Sequence, residues 1–445
     1  MPDLLLSFYG DDLTGSTDVM EALASSGVST ALFLDIPTLE QRARLGPRAA
    51  IGIAGTSRSQ SPAWMGDHLT PALQWLHGLG AALCHYKVCS TFDSAPTIGS
   101  IGRAIDIGAA IFGQATVPVV VGAPQLKRYT AFGTLFAAYR GETFRIDRHP
   151  VMSRHPVTPM HEADLRRHLA QQTERRIGLL DLAALQARDR DSGLAAALAG
   201  EPGVLMIDVA DAASQRAAGE ILWRGREPGG SFVVGSSGIE YALLPTWRDR
   251  GLAPGHAEFS APGAVDRLAV VSGSCSPTTE RQVRYALDHG FAGVSLDVRH
   301  MILSPEQALA DAVAKGSQAL SDGRSVILYT ALGPETDLGG AIDALPEGRH
   351  ALARGLGRIL SALVERHGLS RAVVAGGDTS SHALRELDVF ALTTRLPLPQ
   401  TPGSPLCTAF SDRGAFDGLE VALKGGQVGY DDYFEAIRLG QAQAG

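Results

Sequence analysis

The sequence predicts an α/β protein made of two three-layer α/β/α domains. Each has a mostly parallel sheet, and an inter-domain cleft forms the active site. Three observations predict this. Short apolar runs of strand length recur, helix-like stretches lie between them, and Pro/Gly-rich linkers interrupt the pattern past mid-chain. Continuous apolar strands alternating with amphipathic helices are the mark of parallel sheets covered on both faces.

The apolar runs lie at 4–8, 50–54, 119–121, 204–207, 232–234, 268–271, 326–329 and 372–375. The helix-like stretches are 16–26, 62–79, 98–112, 162–172, 278–289, 305–320 and 355–367. The segments LAPGH from Leu252 and SAPGA from Ser260 lack periodicity and read as linkers. They divide the chain into domains at 1–250 and 265–445. With 445 residues and 45% hydrophobic content, each half can bury a full core.

The net charge of −8 argues against non-specific nucleic-acid binding, which needs a basic footprint. An anionic ligand must then be held by a local cluster of donors. No apolar stretch approaches the roughly 20 residues of a membrane span. The start MPDLLL has no basic region or cleavage site, so the expectation is a cytoplasmic protein without a signal peptide. Cys84, Cys89, Cys275 and Cys407 match no zinc or redox spacing and read as reduced thiols.

Ligands of open α/β sheets sit beyond the carboxyl ends of the strands. The first strand ends in GDDLTGSTD, 10–18. Asp11 and Asp12 could hold sugar hydroxyls or act as general base. Alternatively, one of them caps the following helix, a role that Ser16 or Thr17 could also fill, with Gly27 closing that helix. After 50–54 comes TSRS, where Arg58 can fork onto a carboxylate or lie at the surface. HYKVCSTFDS, 85–94, offers Lys87, Ser90, Thr91, Asp93 and Ser94 ahead of a helix, where backbone N–H groups favour anions. A hydroxyl-rich cap is the bland alternative. His149 and His155 lie in a Pro-rich loop with Arg145, Arg148 and Arg154, which is either rigid connection or part of a site.

The second half carries three glycine-rich turns. SGSCSPTT after 268–271 supplies Ser272, Ser274 and Ser276. GGDTSS after 372–375 supplies Gly376, Gly377, Asp378 and Thr379. ALKGGQVG, 422–429, supplies Lys424, Gly425 and Gly426. Small residues let backbone amides approach a phosphate. The loops match neither the Walker A pattern nor the dinucleotide fingerprint. A kinase needs this division of labour, with hydroxyl and carboxylate chemistry in one domain and a nucleotide in the other.

In this order, GDDLTGSTD, TSRS, KVCSTFDS, HPVTPM (155–160), GSSG (235–238), SGSCS, GGDT and ALKGGQVG resemble the four-carbon acid-sugar kinase family over nearly the whole chain. The resemblance implies an N-terminal acid-sugar domain contacting its substrate through Asp11, Asp12, Arg58, Lys87, Ser90 and Thr91. It implies a C-terminal ATP domain using the three glycine loops. Phosphate would pass from ATP, with Mg2+ expected, to a terminal hydroxyl. Asp12 is the first candidate base and Asp93 the second. STFDS looks more like members acting on 3-oxo acids than like threonate-type members, which resemble Ser-Thr-Leu-Arg-Gly there. The stretch GAPQLKRY, 122–129, is similar to a subgroup acting on the branched acid 3-oxo-isoapionate. The acceptor is therefore expected to be 3-oxo-tetronate or 3-oxo-isoapionate, with threonate, erythronate or a non-catalytic sensor as alternatives. The expected partners are a sugar acid and ATP/ADP, with no nucleic acid and no membrane. A homodimer is left open.

Overall fold

Leu6–Gly10 is buried along its whole length, which explains why its residues do not alternate with polar ones. It is β1 of a computed structural model that describes residues 4–336, 348–398, 401 and 403–441, with only the backbone of Asp378. The chain forms two compact units, 1–257 and 258–445.

In the first unit β1 leads to α1 (Leu13–Ser25), β2 (Thr30–Phe33), α2 (Leu39–Leu45) and β3 (Ala50–Ala54). Next come α3 (Pro62–Gly78), β4 (Leu83–Lys87), α4 (Ile101–Phe112) and β5 (Val117–Val120). An antiparallel insertion follows, with β6 (Arg128–Ala131), β7 (Thr134–Tyr139) and β8 (Glu142–Arg145). The unit continues with α5 (Leu165–Leu169), β9 (Ile177–Leu180), α6 (Leu182–Gln186) and α7 (Arg190–Leu198). It closes with β10 (Val204–Ile207), α8 (Ala212–Arg224), β11 (Ser231–Gly235) and α9 (Gly238–Asp249).

The main strands of this unit are all parallel, in the order β2-β3-β1-β4-β11-β5-β10-β9. One face gives Tyr9, Cys84, Tyr86, Val119, Met206 and Val234 to a core with α3 and α4. On the other face α1 packs on β2 and β3 and touches α9, which packs on α8. Burying a Leu or Phe fully contributes about 1.5–3 kcal/mol, so strands covered on both faces carry much of the stability.

The second unit runs β12 (Ala269–Ser272), α10 (Pro277–Asp288), β13 (Ala292–Ser295), α11 (Val298–Leu303), α12 (Pro305–Ser321) and β14 (Val326–Tyr329). It continues with α13 (Gly348–His367), β15 (Arg371–Ala375), α14 (Gly377–Glu386) and β16 (Val389–Leu396). β17 (Leu406–Ser411), β18 (Glu420–Lys424) and α15 (Tyr433–Leu439) complete it. The sheet order is β13-β14-β12-β15-β18-β17-β16, parallel as far as β18, with β17 and β16 antiparallel. α10 and α15 share a core with Val270, Ile327, Val373 and Ala422. α12, α13 and α14 pack in succession and rest on β14, β12 and β15.

Two expectations need correction. The first helix begins at Leu13, before Ser16 and Thr17, because Asp12 is its N-cap and Ser16 Oγ donates back to the Asp12 carbonyl at 2.6 Å. Of the helix expected at 162–172 only Leu165–Leu169 forms. Beyond it, Gln172 Nε2 donates to Ser94 Oγ at 2.9 Å and Thr173 Oγ1 to Asp106 at 3.0 Å, so the chain turns to serve those partners.

Candidate functional site

Three neighbouring strands bring the acid-contact candidates together. β3, β1 and β4 lie side by side, and Gly10 is in register with both Ala54 and Lys87. The loops that follow are joined by backbone bonds. Asp11 N donates to the Lys87 carbonyl at 2.9 Å, and Arg58 N to the Asp11 carbonyl at 3.1 Å. Segments far apart in sequence thus form one rim.

Arg58 is the centre of that rim. Its Nε and Nη2 donate to the two oxygens of Asp11 at 3.1 and 2.7 Å, and Nη1 donates to Asp12 Oδ2 at 2.5 Å. The other Asp12 oxygen accepts Gly15 N at 2.7 Å. Asp12 is therefore the helix cap that the sequence allowed, and it is also a member of a charged cluster. Burial pushes the Asp11 carboxyl up to about 6, with Arg58 pulling against it and Asp12 adding to it. Lys87 is buried at the end of β4, its Nζ donating to the Val88 carbonyl at 3.0 Å. A Cβ on Gly15 would lie 2.6 Å from Asp12 Oδ1, 3.1 Å from Lys87 Nζ and 3.7 Å from Arg58 Nη2. Gly15 thus sits where cap, lysine and arginine meet, and no larger residue fits.

Ser90 is half-buried in the turn after β4, and Thr91 and Asp93 are buried. Asp93 accepts from Thr91 Oγ1 at 2.5 Å and from Thr158 Oγ1 at 3.0 Å. His155 Nδ1 accepts Thr158 N at 3.1 Å, so the histidine loop supports Asp93 rather than standing apart. Phe92, between Thr91 and Asp93, is buried at φ +55°. A bulky residue in the left-handed region is strained and persists only where the surroundings over-determine it, which is common at ligand sites.

The second unit repeats the plan. β12, β15 and β18 are neighbours, with Ser272 in register with Ala375 and Ala375 with Lys424. Ser276 caps α10 by accepting Thr279 N at 3.0 Å. Ser274 Oγ and Thr279 Oγ1 are 3.0 Å apart, and both Ser276 and Thr279 donate to the Gly426 carbonyl. Lys424 is fully buried and donates to Thr279 Oγ1 at 3.0 Å and the Gly425 carbonyl at 2.8 Å. No carboxylate among the described residues pairs with it, and burial pulls its ammonium down to about 7. Among the described residues Ser272 Oγ is buried without a partner. Gly376, at φ +127°, precedes α14, whose first residue Gly377 has no side-chain cap above it. Its first N–H groups and its dipole therefore favour an anion. A Cβ on Gly273 would come within 2.4 Å of Thr379 Oγ1, so the first two loops touch. The Asp378 side chain lies outside the described residues.

Sequence reasoning did not single out Thr279 or Thr158, although both lie in quoted motifs. Thr279 had a local signal, since it stands three residues after a serine N-cap. Thr158 had none, because its partner Asp93 is 65 residues away. A cavity of about 750 Å3 also lies in the first unit, near Pro118, Leu205 and Ser231, and includes none of these candidates.

Comparison with known proteins agrees with the two halves. Residues 6–243 match the family model of a sugar-binding N-terminal domain, and 269–434 that of a nucleotide-binding C-terminal domain. The chain is 46% identical to the 3-oxo-isoapionate kinase of Paraburkholderia graminis, covering 98% of this chain and 95% of that protein. It is 30% identical to the 3-oxo-tetronate kinase of Cupriavidus necator, covering 98% and 96%. A Haemophilus influenzae crystal structure matches 96% of this chain and 98% of its own, with a TM-score of 0.74 and 25% identity. With both domains matched and a relative this similar end to end, the chain belongs to the four-carbon acid-sugar kinase family.

Proposed function

We propose that the protein transfers the γ-phosphate of ATP to a terminal hydroxyl of a 3-oxo sugar acid, and that the branched acid 3-oxo-isoapionate is its acceptor. The observation that carries this is the paired architecture. One unit gathers Asp11, Asp12, Arg58 and Lys87 at three adjacent strand ends, and the other gathers hydroxyls, amides and a lysine that no described carboxylate pairs with at three more. The choice of the branched acid rests on greater similarity to the 3-oxo-isoapionate kinase than to the 3-oxo-tetronate kinases.

In this reading Lys87, Ser90 and Thr91 orient the acid, while Arg58 fixes Asp11 and Asp12. Asp12 takes the proton of the attacking hydroxyl as its oxygen bonds to the γ-phosphorus and the bond to the β-phosphate oxygen breaks. Asp12 is preferred to Asp93 because its side chain is 31% exposed, whereas Asp93 is buried under two threonine hydroxyls. Ser274, Ser276, Thr279 and the amino end of α14 cradle phosphate oxygens, and Lys424 neutralises them. Mg2+ fits the donor set as an ion carried by the nucleotide. It prefers phosphate oxygens and water to a protein cage, and Ser274, Ser276 and Thr279 offer oxygens beside them. Bound there, it would neutralise charge on the β- and γ-phosphates.

A panel of 3-oxo acids, threonate and erythronate with ATP, read by coupled ADP release, tests the function. The branched 3-oxo acid should give the highest kcat/KM. Tight acid and nucleotide binding with no ADP release from any acid would reduce the protein to a sensor.

A further inference from the structure

The insertion between β5 and β9 contains none of the acid-contact residues named so far, yet it is folded onto the acceptor loop. Leu135, Ala137, Ile146, Met152 and Met160 share one apolar cluster with Val88 and Phe92, and Thr158 bonds Asp93. Arg128 opens the first strand of this insertion. A tight turn presents it, with Lys127 at φ +55° and reciprocal backbone bonds of 2.9 and 3.1 Å between Ala123 and Arg128.

The guanidinium of Arg128 is half satisfied. Nη1 donates to the carbonyls of Leu126, Lys127 and Ala138 at 3.0, 3.2 and 3.4 Å, which fixes one edge. Nε is buried without an acceptor, and Nη2 donates to nothing among the described residues. No described carboxylate pairs with Arg128, whereas Arg58 is neutralised by two. The free edge, Nε with Nη2, is the one that matches a carboxylate side-on. Its charge acts on Cys89, two residues past Lys87, which Arg58 also reaches, and on His149 in the insertion's own loop. Nε is a buried donor with no acceptor among the described residues, which is destabilising unless a ligand completes it.

We propose that Arg128 binds the carboxylate of the acid acceptor through this free edge and so makes the first unit prefer acids to neutral sugars. This rests on the acceptor being a sugar acid, and it adds a recognition residue from the insertion. It also gives a role to the 122–129 stretch, which the strand-end loops leave unexplained.

Calorimetric titration of 3-oxo-isoapionate into the whole protein, with ADP release measured in parallel, tests the proposal. Arg128→Met should weaken acid binding about 10–100-fold, the worth of one charged hydrogen-bonded contact, with KM for ATP unchanged and kcat altered less than KM for the acid. Selectivity for the acid over its neutral amide should fall by a similar factor. Arg128→Lys, which keeps a point charge but loses the fork, should recover part of both, and it carries the test if the methionine variant does not fold. Arg140→Met removes another cation of the insertion, the one over the Tyr139 ring, and should leave acid binding as it was. Unchanged acid affinity in a folded Arg128→Met protein overturns the assignment and leaves the kinase reading intact. Arg128-dependent binding without ADP release supports the assignment and overturns the kinase reading. No acid binding by the unmodified protein overturns both.

Discussion

Arg58 makes three side-chain bonds to two carboxylates, so neither Asp11 nor Asp12 is free. A base held by a guanidinium is weakened, but phosphoryl transfer asks more for positioning than for strong proton abstraction. Asp12→Asn keeps the α1 cap through its amide oxygen but turns its NH2 toward Arg58 Nη1, so the ion pair is lost with the charge. It should lower kcat about 10²–10⁴-fold in a protein that still folds, with a lowered melting temperature. A near-normal rate, with the loss appearing instead in Asp93→Asn, would move the base to Asp93. Lys424 gives a pH-dependent prediction. Its folded value of about 7 lies below the ordinary 10.5, so between these limits the folded protein holds fewer protons than the unfolded one. Stability contributed at this position therefore rises with pH across that window, and Lys424→Met should remove this rise from denaturation curves. A bound phosphate pulls the value up again. Nucleotide binding at about pH 8 should then take up close to one proton, seen by calorimetry in buffers of different ionisation enthalpy, and Lys424→Met should take up none. Proton uptake unchanged in that variant would exclude Lys424 from the phosphate site.

Elements are held by side chains that the local pattern does not reveal. Arg371, at the start of β15, is almost fully buried. It bonds Glu420 on β18 and the carbonyls of Gly263, Ile437 and Arg438, tying α15 to the sheet. Arg395 shares Glu420 from β16. Breaking a buried pair typically costs about 3–5 kcal/mol, so Arg371→Met should lower unfolding free energy by that order in urea titrations. A loss below about 1 kcal/mol would mean that Arg395 and solvent satisfy Glu420 alone. The same physics limited what the sequence could show. Runs such as 50–54 and 204–207 were legible because burial on both faces requires unbroken apolar residues. β4 was hidden because His85 and Lys87 interrupt it. His85 is tolerated there by distant partners, with Nδ1 2.6 Å from Glu240 on α9 and Nε2 3.0 Å from the Gly235 carbonyl, whereas Lys87 ends the strand and donates to the next carbonyl, that of Val88. The candidate loops were visible as glycine and carboxylate clusters. Which loops converge depended on strand order, β3-β1-β4 and β12-β15-β18, and no residue spacing encodes that order.

At the scale of the molecule, charge separates the two binding tasks. The chain carries a net −8, so its overall field repels both an acid and ATP. In the proposed reading, affinity comes from local cations, Lys87 and Arg128 in the first unit and Lys424 in the second, because Arg58 is already paired with Asp11 and Asp12. A ligand that binds only the folded state raises stability by about 2.7 kcal/mol at 100 times its Kd, so each task can be read as a thermal shift. Lys424→Met should abolish the shift given by ATP and leave that given by the acid. Lys87→Met should do the reverse. If either variant loses both shifts while its ligand-free melting temperature is unchanged, the two ligands do not use separate sets of strand ends, and the assignment of acid to one unit and nucleotide to the other falls.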